Sequence, residues 1–214
     1  MKNEKFKIIG LTGGIASGKT AVLNEFKKLG IKTISCDKIT QQVYKWTNVQ
    51  IRIKKLFRTL NRKKIAKIVF SDSVKRKQLE KILHPAIIKE LNHLITQSLN
   101  HLIVVDVPLL FEAHLERMFN KIIVVYCKKN QQIERLMKRD KITRTEAVKR
   151  ITSQMPLSKK IKSAEFVIKN TGHQKKIKSA VKKLLDKIKL RITNHECHHE
   201  FSRIKSVQLF VSCS

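Results

Sequence analysis

The chain has 214 residues, 42% of them hydrophobic, enough for one compact domain with a buried core; no apolar run in it is long enough to cross a bilayer. Its formal net charge is +31, from 47 lysines and arginines against 16 acidic residues, which taken alone would suit nucleic acid. The basic residues are spread along the whole chain, however, and an aromatic content of 6% leaves few stacking platforms, so no specific nucleic-acid partner is expected.

In chain order, Met1 to Gly10 puts charges before a short apolar stretch, as a signal peptide does, but the stretch runs directly into a glycine-rich motif that must be retained. It is read as the first strand, ending near Thr12, of a cytoplasmic enzyme. After the loop Gly13 to Lys19 comes a helix with Val22, Phe26 and Leu29 on one face, closed by Gly30 at C′. Ile31 to Cys36 forms a second strand that ends at Asp37, completing a βαβ unit.

From Ile39 to Asn100 the spacing turns helical, with pieces near Val49–Leu60, Lys63–Phe70 and Asp72–Leu83 and with Ser71 as an N-cap. Pro85 is expected at the first position of a further helix that buries Ile87, Ile88, Leu91, Leu94 and Ile95. Strands resume at Leu102–Val105 and Ile122–Cys127. Asn130 is expected to cap a helix through Arg139, and Thr143 to Glu146 forms a capping box for the next, to about Gln154. Phe166–Lys169 supplies a fifth strand, and a last helix from about Gln174 to Ile192 carries Ile177, Val181, Leu184 and Ile188 on one stripe. The alternation predicts an α/β fold: a five-stranded parallel sheet flanked by helices, with a helical insertion over 39–100. The core is expected to comprise 1–38 and 101–192. The abundance of Lys, Ile and Asn is in keeping with AT-rich codon usage and makes the charge a background that attracts polyanions. The cysteines, Cys36, Cys127, Cys197 and Cys213, lack CxxC spacing and are read as reduced thiols, the first two packing as small hydrophobes at strand ends.

Gly13-Gly14-Ile15-Ala16-Ser17-Gly18-Lys19-Thr20 fits G-x-x-x-x-G-K-[ST] between a buried strand and a helix start. Glycines let successive main-chain N–H groups converge on phosphate oxygens, and the helix, continuing through Ala21, presents its positive end. Lys19 would reach the β- and γ-phosphates and the Thr20 hydroxyl would ligate Mg²⁺. The motif specifies a nucleoside triphosphate, with ATP the expected one, but not the reaction. Asp37, at the carboxyl end of a parallel strand, can orient an acceptor hydroxyl and take its proton, or can simply cap the following helix. Asp106 ends an apolar strand and either holds Mg²⁺ or shapes the bend at Val107-Pro108. Arg135 and Arg139 share one helical face near a hinge at Asp140–Thr143; they serve either as phosphate-binding groups of a lid over 135–160 or as a solvated basic face. Leu109, Leu110 and Phe111 line or pack beneath a substrate cleft, and Glu112 caps or contacts substrate. His84 opens a helix with Pro85 or touches substrate.

The run from Gly10 to Thr20 resembles the opening of dephospho-CoA kinases. The similarity continues in order through Phe26, Leu29-Gly30, Asp37, Ile68-Val69-Phe70, Leu79-Glu80 and His84-Pro85. It then takes in Asp106-Val107-Pro108-Leu109-Leu110-Phe111-Glu112, Gln132, Arg135, Arg139-Asp140, Arg150-Ile151, Gln154, and Asn170 before Gly172. The resemblance covers about residues 6 to 190. It implies a P-loop core like that of nucleoside monophosphate kinases, a helical CoA-binding domain over 39–100 and a mobile lid. It also implies phosphoryl transfer from ATP to the ribose 3′-hydroxyl of dephospho-CoA, with Arg62 touching that substrate's phosphates; a monomer is the default. The chain departs from the family pattern at Ser35, where an aspartate is usual, in a shortened segment between Val43 and Arg62, and at Glu165. The stretch 193–214, with His195, Cys197, His198 and His199, has no spacing for a closed four-ligand zinc site and is read as a loosely attached, disordered tail.

Overall fold

The computed structural model describes residues 7–98 and 102–194. The reading of the tail beyond 194 lies outside them. Five strands, β1 (Lys7–Gly13), β2 (Lys32–Ser35), β3 (Leu102–Asp106), β4 (Lys121–Tyr126) and β5 (Phe166–Lys169), form one sheet in the order β2-β3-β1-β4-β5. β1 runs parallel to both β3 and β4, and β4 runs parallel to β5. Central strands of a parallel sheet are covered on both faces, which is why β1, β3 and β4 read as continuous apolar runs rather than as alternations.

The described residues of Met1–Ile34 and Leu99–Ser214 form one compact unit, and Ser35–Ser98 the other. In the first, α1 (Lys19–Lys28) and α9 (Gln174–Asn194) supply Val22, Leu23, Phe26, Ile177, Val181 and Leu184 to a core completed by Ile9, Leu11, Val104, Ile123 and Val125 of the sheet. Phe26 has no exposed surface, and burying a side chain of this size contributes about 1.5–3 kcal/mol. Gly10 is a glycine because of packing: a Cβ there would lie 2.6 Å from Leu110 Cδ1 and 2.9 Å from Phe119 Cγ. A satellite cluster joins α6 (Lys129–Asp140) to α7 (Arg144–Thr152) through Ile133, Leu136 and Ala147. The short helix α8 (Leu157–Lys162), which has too few residues for a periodic signal, was not foreseen.

The second unit is helical: α2 (Cys36–Val43), α3 (Thr47–Phe57), α4 (Arg62–Ser71) and α5 (Ser73–Thr96). Three local expectations are corrected here. Pro85 lies inside α5 rather than opening a helix. It gives no N–H to the carbonyl four residues back, but Ile82, Leu91 and Ile95 bury the stripe on both sides of it and carry the helix through. Asp72, not Ser71, caps α5, accepting from Lys75 N at 2.9 Å, while the Ser71 hydroxyl donates back to carbonyls of α4. Cys36 begins α2 instead of ending a strand. In the first unit, Asn130 sits inside α6, whose N-cap is Lys128; the Thr143–Glu146 capping box is present as expected.

Candidate active site

β1 delivers the chain to Gly13, and α1 begins at Lys19. Between them the loop takes backbone angles that an ordinary strand or helix does not: φ is 154° at Gly13, 56° at Ala16 and 89° at Gly18. A Cβ on Gly13 would stand 2.2 Å from the carbonyl oxygen of Val125, so the close approach of β4 requires glycine. Ser17 N donates to the Gly14 carbonyl at 3.1 Å, and Lys19 Nζ lies 3.5 Å from the Gly13 carbonyl.

The loop fits a polyphosphate. The N-cap of α1 is Gly18, without a side-chain cap, and no acidic residue occupies the first turn, so the positive helix end is not neutralised by its own segment. The Ser17 hydroxyl is buried with no hydrogen-bond partner. For Mg²⁺ the donor set is one exposed hydroxyl, Thr20 in the first turn of α1, and one half-buried carboxylate, Asp106 at the end of β3 opposite Leu11. Hard oxygen donors suit this cation, which keeps waters and phosphate oxygens for its remaining positions. Among the described residues no group of three or more His, Cys, Asp or Glu could hold a metal by itself. The bend after Asp106 is fixed by Val107 N donating to the Leu11 carbonyl at 2.9 Å and by the Thr12 hydroxyl donating to the Pro108 carbonyl at 3.2 Å.

Beside the loop opens a cleft of about 650 Å³, lined by Gly18, Ala21, Arg135, Asn170, Gly172 and Gln174 among others. Arg135 is half-buried, with Nη1 3.5 Å from the Ser17 carbonyl. Arg139, four residues on, behaves differently. Its Nε and Nη2 meet the Asp140 carboxylate at 2.7 and 3.2 Å, and Arg150 Nη1 meets the same carboxylate at 2.7 Å. The Arg139 guanidinium holds the Asp140 carboxyl below the usual aspartate range. The Arg139 side chain is 58% exposed, in keeping with the solvated basic face considered for it, and is paired there with Asp140. Glu25, on the cleft wall, is held down in the same way by Lys28, 2.7 Å away. Under the loop, Cys127 Sγ lies 4.0 Å from the Ala16 carbonyl, and burial pushes its thiol up.

Leu110 is fully buried and packs beneath β1, which leaves Leu109, 49% exposed, as the member of that pair with a surface to offer. Glu112 is not a cap. Its Oε1 accepts from Met155 N at 3.1 Å and lies 2.7 Å from Nζ of Lys160, whose side chain is fully buried. That last contact is a charge pair lying off the hydrogen-bonding directions.

In the second unit, Asp37 stands exposed in the first turn of α2; Ser35 holds the N-cap position, so the simple capping role does not apply to Asp37. The Arg62 guanidinium lies 5.1 Å from the centroid of the Tyr44 ring, whose hydroxyl donates to the Leu60 carbonyl at 3.3 Å. Burial raises the Tyr44 phenol, and the Arg62 charge opposes that rise. His84 is half-buried within α5. Gln132, Gln154, Asn170 and Lys160 carry structural connections that no local pattern announces: their partners lie 117, 139, 153 and 48 positions away.

A family model described as dephospho-CoA kinase matches residues 7–176. A dephospho-CoA kinase of Bacillus thuringiensis subsp. konkukian is 40% identical over 192 residues, covering 84% of this chain and 96% of its own. Among solved structures, a protein of Thermus thermophilus aligns with a TM-score of 0.80 at 30% identity, covering 86% of this chain and 98% of its own. A dephospho-CoA kinase of Campylobacter jejuni aligns at 0.62 and 29%, covering 85% and 96%.

Proposed function

The chain belongs to the dephospho-CoA kinase family, and on that premise we propose how its own residues phosphorylate dephospho-CoA with ATP. The activity is that of a kinase of coenzyme A biosynthesis. The observation that carries the site reading is the phosphate loop: a helix N-terminus without a side-chain cap, a strained Ala16 and a lysine as the first residue of α1.

In this reading the amides from Gly13 to Ala21 hold the ATP phosphates, and the ammonium of Lys19 offsets the charge that develops on the β–γ bridging oxygen. The cleft beside Gly18 takes the adenosine, with Arg135 on its wall. Thr20 and Asp106 would hold Mg²⁺, which supplies charge neutralisation across the phosphates when bound. Asp37 orients the ribose 3′-hydroxyl of dephospho-CoA. As the new P–O bond forms and the bond to the β-phosphate oxygen breaks, the hydroxyl proton passes to Asp37 or to water, and ADP leaves. Arg62, its guanidinium 5.1 Å from the centroid of the Tyr44 ring, offers its N–H donors to substrate phosphates, with His84 and Leu109 as further substrate contacts. Residues 135–160 act as the lid; Arg139 reaches phosphate by exchanging the Asp140 carboxylate for it.

The test is ADP release with dephospho-CoA as acceptor, read together with formation of coenzyme A. Turnover should depend on dephospho-CoA and fall about 10²-fold or more in Lys19→Ala. Equal ADP release with shikimate or a nucleoside monophosphate as acceptor would overturn the substrate assignment.

A further inference from the structure

Ile15, the third residue of the phosphate loop, is gripped by two carboxamides, one from just before the 135–160 stretch and one from within it. Its N–H donates to Gln154 Oε1 at 2.9 Å, and its carbonyl accepts from Gln132 Nε2 at 2.9 Å. A carboxamide has one acceptor end and one donor end, and the two glutamines use opposite ends; the backbone group facing each one fixes which. Gln132 is 4% exposed and approaches so closely that a Cβ on Gly14 would lie 2.3 Å from its Nε2, so glycine at position 14 is a condition of the bond. Gln154 is fixed in its turn, because the next N–H, that of Met155, is tied to Glu112 and through it to the buried Lys160.

We infer that Gln132 and Gln154 are positioning residues for the triphosphate. They set the peptide planes on both sides of Ile15, and the second of those planes enters Ala16, which sits at φ 56°. A non-glycine residue in that region costs about 1–2 kcal/mol and persists where its surroundings over-determine it. The grip on Ile15 supplies that constraint, and the amides that follow converge as they do because of it. Neither glutamine touches phosphate; both act through the main chain of Ile15. The inference rests on the reading of this loop as the ATP polyphosphate site.

The test uses Q132A, Q154A, Q132E and Q154E in the full chain, with KM for ATP and for dephospho-CoA, the ADP dissociation constant, and thermal unfolding to establish that each variant is folded. Both alanine variants should raise KM for ATP about five- to tenfold, as the loss of one buried hydrogen bond does. KM for dephospho-CoA should move by less than about twofold, a split that a general loss of packing would not produce. The glutamate variants should separate. Q154E keeps an acceptor for Ile15 N–H, whereas Q132E sets a carboxylate against the Ile15 carbonyl, so ADP should bind about tenfold more weakly to Q132E than to Q154E. The added charge does not cancel fully in that ratio, because Gln132 is buried and Gln154 half-buried, so the uncharged Q132M is measured beside them. Should Q132E fail to fold, Q132M, which lacks the donor without adding charge, must still bind ADP more weakly than Q154E. Glutamate variants that weaken alike, or alanine variants that leave KM for ATP unchanged, overturn the inference. The parent chain's ADP binding and dephospho-CoA turnover check the underlying reading separately: a parent that fails them sinks both, and a parent that passes leaves only the grip at stake.

Discussion

Asn170 Nδ2 donates to the carbonyl of Ser17 at 2.9 Å, joining residues 153 positions apart. The same carboxamide accepts from Gly172 N at 2.9 Å, and Asn170 N donates to the Tyr126 carbonyl at 2.7 Å. One buried side chain thus ties the turn after β5 to the phosphate loop. Asn170→Ala would remove both side-chain bonds and leave the Ser17 carbonyl only its 3.5 Å contact with Arg135 Nη1, and should cost about 1–3 kcal/mol. At roughly 2–4 °C per kcal/mol for a chain of this size, the loss should show as a fall of several degrees in Tm. Asn170→Asp keeps the acceptor for Gly172 but not the donor for Ser17, and should bind ADP more weakly than the parent chain in a titration.

Two glycines of positive φ separate backbone strain from site geometry. At Gly18, φ is 89° and an added Cβ would meet Asn170 Nδ2 at 1.9 Å; at Gly30, φ is 76° and nothing lies within 4 Å. Gly30→Ala should therefore cost only the backbone term, about 1–2 kcal/mol, with KM for ATP unmoved. Gly18→Ala should carry that cost and also lose most ATP binding. Unfolding curves and ATP kinetics on the two variants, measured side by side, check the contrast.

The pair of Lys160 and Glu112 predicts that a second change offsets part of the damage done by the first. Lys160 is fully buried and Glu112 is mostly so, and their charges lie 2.7 Å apart. Removing one partner leaves the other uncompensated, so Lys160→Met should destabilise by about 3–5 kcal/mol in denaturant unfolding. Changing Glu112→Gln in the same chain removes the stranded charge and should recover a substantial part of that loss. A double variant as unstable as the single one would show that packing, not charge, governs the site.

Acid should loosen the Arg139–Asp140–Arg150 cluster. Because Asp140 titrates below the ordinary aspartate value of about 3.9, its carboxylate favours the folded state at neutral pH. That contribution is lost as pH falls from the ordinary value through the lower, folded one. Tm of the parent should therefore drop more steeply below about pH 4 than Tm of Asp140→Asn, and carboxyl NMR should find the Asp140 midpoint moved up toward the ordinary value in Arg139→Ala.

What could be read in advance was whatever is encoded over a few neighbouring positions. The phosphate loop, the Thr143–Glu146 box and the apolar strands β1, β3 and β4 each carry their signal within a dozen residues, and the structure has them where the pattern predicts. Pro85 was misplaced because local propensity ends a helix there, while packing of Ile82, Leu91 and Ile95 on either side continues it. The exchange of Ser71 for Asp72 as a cap is a one-residue boundary shift between two adequate capping side chains. Arg139 had its partner next to it in sequence, and the Arg139-Asp140 pair could have been anticipated. The partners of Gln132, Gln154 and Asn170 could not be, since each is defined by strand order, and β2-β3-β1-β4-β5 leaves no trace in a linear pattern.

The nucleotide motif is written near the start of the chain, yet the bonds that give it shape come from positions 132, 154 and 170. A nascent chain leaving the ribosome would display the glycines and the lysine long before it could hold ATP. Capture should begin only after Asn170 has cleared the exit tunnel, so chains stalled upstream of that point remain blind to nucleotide however complete their N-terminal strand and helix.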